Sequence, residues 1–83
     1  ERTIRERERI ALALRQHPTW EVYASAANFL LIRTPDAARA SEQLLQAGIL
    51  VRRQDAYSSL AGCIRVTVGT PEENDLFLRA AGL

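Results

Sequence analysis

Two Thr-Pro pairs, Thr34-Pro35 and Thr70-Pro71, each stand between a run of β-forming residues and a helix-forming run that closes at a glycine. That punctuation constrains the fold more than any other feature. A threonine at the N-cap accepts a hydrogen bond from the first turn. Proline fits the first helical turn because its missing N–H would have no partner there. At the second pair the signal is stronger, because Glu73 follows Thr70 at the spacing of a reciprocal capping box. Each pair therefore ties the end of a strand to the start of a helix with almost no linker.

The runs around these pairs give the remaining elements. Residues 29–33, "FLLIR", predict a strand rich in β-formers. The helix after the first pair carries Ala37, Ala40, Leu44, Leu45 and Ala47 inward and closes at Gly48 in a left-handed position. Residues 49–53, "ILVRR", predict a strand, and "QDAYSSLAG" a loop with Asp55, Ser58, Ser59 and Gly62 as turn residues. Residues 63–68 predict the strand before the second pair. The last helix carries Leu76, Phe77 and Ala80 inward and ends near Gly82. Upstream, residues 1–16 predict a helix whose stripe is Ile4, Ile10, Ala11 and Leu14, with Arg2 and Glu6 at i, i+4. His17-Pro18 ends it. Residues 20–24 predict a short strand, with Trp20 and Val22 on one face, Glu21 and Tyr23 on the other, and "SAAN" breaking it.

The order helix, strand, strand, helix, strand, strand, helix fits one α+β domain, residues 1–83, built on a small, mainly antiparallel sheet with helices packed on one face. A chain of 83 residues supports one modest core and not two. Period-two alternation then sends Ile64, Val66 and Val68 toward the helices and Cys63, Arg65 and Thr67 to the open face. On the preceding strand, Ile49 and Val51 share one face, and Leu50 and Arg52 the other.

Arg65 has two readings at this point. It is a solvated sheet-face arginine, paired for instance with Glu21, or it grips an anion with its planar fork. Arg52 carries the same ambiguity. Were the two on neighbouring strands and facing the same way, they would make a site for a dianion; the sequence leaves the strand order open. His17 reads as a partner of its helix C-terminus. Cys63 reads as a packing residue, and Tyr57 with Ser58 and Ser59 as turn chemistry. No carboxylate pair, His–Cys cluster or glycine-rich phosphate loop is present, so the residues alone specify no enzyme and no metal site.

Composition excludes some classes. Eleven basic residues against ten acidic give a net charge of +1, which does not suit a nucleic-acid or membrane-surface partner. An RNA-binding sheet would have only Phe29 and Tyr23 as stacking platforms. The single cysteine forms no internal disulfide and suits a reducing, cytoplasmic compartment. All eleven basic residues are arginine, so lysine chemistry such as a Schiff base is closed to this chain alone. There is no methionine, and the sequence opens mid-pattern, as a piece of a longer chain would.

The stretches "SAANFLLIRTPDA" and "LLQAGILVRRQDAYSSLAGCIRVTVGTPEENDLFLRA", and more loosely the opening helix, resemble the C-terminal small domain of histidinol-phosphate aminotransferase. "GILVR…GCIRVTVGTPEEN" carries most of the resemblance. Threonine-phosphate decarboxylases of cobalamin synthesis share parts of it. The resemblance implies a pyridoxal-phosphate-dependent, homodimeric parent enzyme. It would interconvert L-histidinol phosphate and 2-oxoglutarate with imidazole-acetol phosphate and L-glutamate, in histidine biosynthesis. It implies that Arg65 grips the substrate's carboxylate or phosphate and that Arg52 helps orient the anionic end; Arg53 departs from the family, standing where many relatives have an acidic residue, and is assigned no role. The cofactor's lysine and the rest of its cradle would lie in a large domain absent from this chain. No catalytic or cofactor-binding residue is therefore expected here, and the fragment alone would be inactive. The competing expectation is a stand-alone α+β module that binds a small anion or a protein on the same face. An isolated fragment would also expose apolar surface and self-associate, by exchange of its first helix for example.

Overall fold

The computed structural model describes residues 2–83. Glu1, the first residue of the predicted opening helix, lies outside the described residues. The elements are α1 (Arg2–Leu14), β1 (Glu21–Ala26), β2 (Phe29–Arg33), α2 (Ala37–Gln46), β3 (Arg52–Arg53), β4 (Cys63–Thr67) and α3 (Pro71–Ala80), with a short 3-10 turn at Ser58–Leu60. The four strands form one sheet in the order β1-β2-β4-β3, and every neighbouring pair is antiparallel. Because β2 and β3 both run antiparallel to β4, they are parallel to each other. Parallel strands need a crossover, and α2 supplies it, leaving a gap that β4 fills.

The core confirms the one-sided packing. Ile10 and Leu14 of α1, Ala37, Ala40 and Leu44 of α2, and Phe77 of α3 close over Leu30, Ile32, Ile64 and Val66. These four strand residues are alternate positions on β2 and β4, so one sheet face carries the core. Trp20 is buried with them, but it precedes β1 rather than forming part of it. The first hairpin is longer than "SAAN" suggested. β1 runs through Ala26, with an irregularity between Val22 and Ala24, and only Ala27 and Asn28 make the turn. Ala27 takes φ 46°, and Arg7 of α1 donates to its carbonyl at 2.7 Å.

Several local expectations are corrected. Asp36, not Thr34, caps α2: its carboxylate accepts from the Arg39 N–H at 3.2 Å, while the Thr34 hydroxyl donates to the Gly62 carbonyl at 2.8 Å. Leu45 is exposed, because it lies about 100° around the helix from Leu44, off the 37–40–44 stripe. Ile4 is likewise exposed. In α3 Asn74 and Phe77 are buried and Ala80 packs against the core as expected, whereas Leu76 is exposed.

The predicted strand at 49–53 shrinks to Arg52–Arg53. The Gly48 N–H bonds to Leu45 and the Ile49 N–H to Leu44, which closes α2 in a Schellman arrangement. Ile49 thus spends its N–H on the helix, and the ladder begins only at Arg52. Ile49 and Val51 still pack against the core, as alternation required.

His17 does meet a helix C-terminus, but that of α3 rather than its own. Its Nε2 lies 2.7 Å from the carbonyl oxygen of Ala81, the C-cap of α3. Arg2 is only a distant charge on Glu6, whose direct partners are Arg9 and Asn74.

Candidate functional site

Arg52 and Arg65 are direct partners in the β3–β4 ladder. Residues opposite each other in an antiparallel pair project from the same face. Both guanidiniums therefore leave the sheet on the side away from the helices, with Arg52 exposed and Arg65 half-buried. Across β4 from Arg52, the row continues with Leu31 of β2. An open groove of about 380 Å³ is lined by Leu50, Val51, Arg52, Arg65 and Thr67. It contains two cations and no acid. Among the described residues neither arginine has an ion pair. Glu21 does not neutralise Arg65: it stands opposite Arg33 on the outer strand, with β2 in between.

The frame around the pair is rigid for identifiable reasons. α3 starts three residues beyond Val68, and its capping box is complete. The Thr70 N–H donates to Glu73 Oε1 at 2.8 Å, and the Glu73 N–H donates to Thr70 Oγ1 at 3.2 Å. The Thr70 N–H, and after it the Thr70 hydroxyl, hold the Glu73 carboxyl below the usual carboxylate range. The Gly69 N–H donates to Asn74 Oδ1 at 2.9 Å, fixing the exit of the strand that carries Arg65. On the other side, β4 is entered through Gly62, at φ 79°.

The neighbouring arginines are otherwise engaged. Arg53, opposite Ile64 on the other face, pairs with Asp55 at 2.7 Å, which lowers the Asp55 carboxyl. Arg33 rests over the Tyr23 ring at 4.2 Å and donates to the Ser59 carbonyl at 3.0 Å. Cys63 lies opposite Arg33 on the nominally open face, yet it is fully buried. Arg33 and the turn it holds cover that end of the face, so Cys63 packs and is inaccessible. Asp55, Tyr57, Ser58 and Ser59 do not line the groove. Tyr57 is exposed, and Ser59 contributes only its carbonyl to Arg33.

One neighbour of Arg65 was not legible from spacing. Arg65 Cζ lies 4.2 Å from the centroid of the Phe29 ring. Phe29 shares the open face of β2 with Leu31, but its contact with Arg65 depends on the β2–β4 register, which alternation within one strand does not supply.

No lysine is present to hold pyridoxal phosphate covalently, so this chain's residues do not fit that cofactor's attachment. Among the described residues, no group of three or more His, Cys, Asp or Glu side chains could hold a metal ion, and no helix is long and apolar enough to cross a membrane.

Fold and site together define an α+β unit that presents a cross-strand arginine pair on its uncovered sheet face. The chain belongs to the aminotransferase class I and II family, whose sequence model matches residues 1–80. Over 77 residues it is 49% identical to the histidinol-phosphate aminotransferase of Deinococcus radiodurans, covering 93% of this chain and 21% of that enzyme. The chain thus spans about a fifth of the length of such relatives. Its fold superposes on L-threonine-O-3-phosphate decarboxylase from Porphyromonas gingivalis with a TM-score of 0.85 and 26% identity, covering 95% of this chain and 26% of that one. The histidinol-phosphate aminotransferase from Clostridium acetobutylicum gives 0.82 and 27%, covering 94% and 25%.

Proposed function

We propose that this chain is the C-terminal, substrate-gripping small domain of a cytoplasmic, homodimeric histidinol-phosphate aminotransferase, and that Arg65 and Arg52 hold the anionic end of its substrate. The parent reaction interconverts L-histidinol phosphate and 2-oxoglutarate with imidazole-acetol phosphate and L-glutamate. The observation that carries the reading is the Arg52–Arg65 pair: two guanidiniums directly opposed, on the uncovered face, with no carboxylate between them. Like charges directly opposite destabilise a sheet, and a bound dianion relieves that repulsion. Planar forks also suit phosphate and carboxylate better than any other side chain does. Binding energy from a remote anion positions the reacting carbon without touching it.

Pyridoxal phosphate, when bound to the parent, supplies the electron sink for carbanion chemistry. Its lysine comes from outside this chain, and the fragment alone is inactive. In the full-length enzyme, Arg65→Ala is expected to lose about 2–4 kcal/mol of transition-state binding, the scale of a charge-assisted contact. Near-normal turnover would remove the assigned role.

A second reading, a threonine-phosphate decarboxylase, is favoured by the TM-score of 0.85. The arginine pair does not separate the two, because both substrates carry a phosphate ester. Turnover of histidinol phosphate against threonine phosphate by the full-length enzyme decides between them. The higher identity to the Deinococcus enzyme favours the first.

A further inference from the structure

We infer that Phe29 is a positioning residue for Arg65, serving as the platform that holds the guanidinium in place for an anion. The inference rests on the reading of Arg65 as an anion-gripping residue and adds a partner to it.

The geometry is specific. Leu31 is the direct partner of Arg65, and Phe29 is the direct partner of Thr67. Phe29 is therefore the diagonal neighbour of Arg65, within reach of a long side chain. With Arg65 Cζ 4.2 Å from the Phe29 centroid, the guanidinium lies against the ring. It thus leans toward the Thr67 end of the sheet and away from Cys63. Phe29 lies on β2, across β4 from Arg52, so the ring holds Arg65 on the β2 side of the groove that Arg52, Arg65 and Thr67 line.

The choice of an aromatic partner has a chemical consequence. All five guanidinium N–H groups lie in its plane, and an acid that fixed the side chain would consume some of them. A ring fixes it by attraction to the π face and consumes none. Repulsion from Arg52, on the other side of β4, acts in the same direction, toward the ring. Arg33 on the same face shows the contrast: it too rests on a ring, that of Tyr23, but spends an N–H on the Ser59 carbonyl. Arg65 has no such hydrogen bond among the described residues.

The test uses the full-length holoenzyme, with inorganic phosphate as competitive inhibitor against the phosphate-ester substrate. Phe29→Leu is expected to weaken phosphate inhibition by roughly 3–30-fold, the span of one cation–π contact. The loss should appear in KM with kcat nearly unchanged. Phe29→Tyr, which keeps the ring, should stay within about two-fold of the parent. Phe29→Ile, a good strand former, serves should the leucine variant fold poorly. In an Arg65→Gln background, Phe29→Leu should add no further loss. Phosphate inhibition unchanged in both aliphatic variants, equal losses in the tyrosine and leucine variants, or a full additional loss in the Arg65→Gln background would each overturn the role of Phe29. Arg65→Gln without effect on phosphate would instead overturn the anion site itself, and Phe29's role with it.

Discussion

Asn74 of α3, buried at 3% exposure, donates its amide N–H to Glu6 of α1 at 3.0 Å, joining the two helices through a polar contact inside an apolar layer. Glu6 also accepts from Arg9 at 2.7 Å, and Arg9 extends to Asp75 at 2.8 Å. The Arg9 guanidinium, then the Asn74 amide, bring the Glu6 carboxyl down from 4.5 to about 2. A carboxyl that ionises more readily when folded contributes stability above its unfolded value and loses it as pH falls toward the folded one. The contribution of Glu6 is thus complete above pH 4.5 and fades toward pH 2. Thermal melts of Glu6→Gln should lie below the parent at neutral pH and converge with it on acidification. A gap that stays constant to pH 2 would remove this account.

The ring of His17 is held at both nitrogens. Nδ1 accepts from the Trp20 N–H at 2.9 Å and the Thr19 N–H at 3.1 Å, so the proton sits on Nε2 and is donated to Ala81. The ring also stacks on Trp20 at 4.9 Å, and its bond to Ala81 ties the end of α1 to the end of α3. His17→Ala should cost about 1–3 kcal/mol, because it leaves partly buried groups without partners. His17→Asn should recover part of that through an oxygen that replaces Nδ1. Urea denaturation of the two variants checks the order, and an alanine variant as stable as the parent would contradict it.

Much of this architecture was legible because local chemistry and global packing agree. The Thr70–Glu73 capping box follows from spacing alone and is present in full. Alternation placed Arg65 on the uncovered face because Ile64 and Val66 demanded the other. What alternation could not supply was pairing. Strand order and register, which bring Arg52 opposite Arg65 and Phe29 diagonal to it, are tertiary facts. Hydrophobicity also misled where a polar residue had an internal partner. Asn74 displaced Leu76 from the inward face of α3 because Glu6 and Gly69 satisfy its amide. Cys63 is buried on the nominally open face because Arg33, opposite it, covers a position that strand periodicity alone would leave in water.

Gly62 and Gly48 make a controlled comparison. Both have left-handed backbones, at φ 79° and 84°. A Cβ on Gly48 would meet nothing, whereas one on Gly62 would run into the Thr34 carbonyl oxygen. The Thr34 N–H and hydroxyl also both donate to the Gly62 carbonyl at 2.8 Å. Gly48→Ala should cost about 1 kcal/mol from backbone strain alone. Gly62→Ala should cost distinctly more and loosen the entry to β4. Equal denaturation midpoints for the two variants would show that the approach to Thr34 does not matter.

The Arg52–Arg65 pair makes opposite predictions for stability and function. Directly opposed like charges on an antiparallel pair are unfavourable by about 0.2–1 kcal/mol. Arg52→Thr removes the repulsion and installs a good strand former. The variant chain should gain roughly 0.5 kcal/mol at low ionic strength. The gain should shrink as salt rises, because the Debye length falls to about 10 Å at 0.1 M and Arg52 is exposed. In the full-length enzyme the same change should weaken binding of the phosphate ester, since one of its two forks is gone. A more stable but less effective protein is the expected signature of charges kept for a ligand rather than for the fold. Denaturation at two salt concentrations and KM for the phosphate ester test both halves. Loss of stability at low salt would show that Arg52 has a structural partner. Unchanged KM would show that Arg65 holds the anion without it.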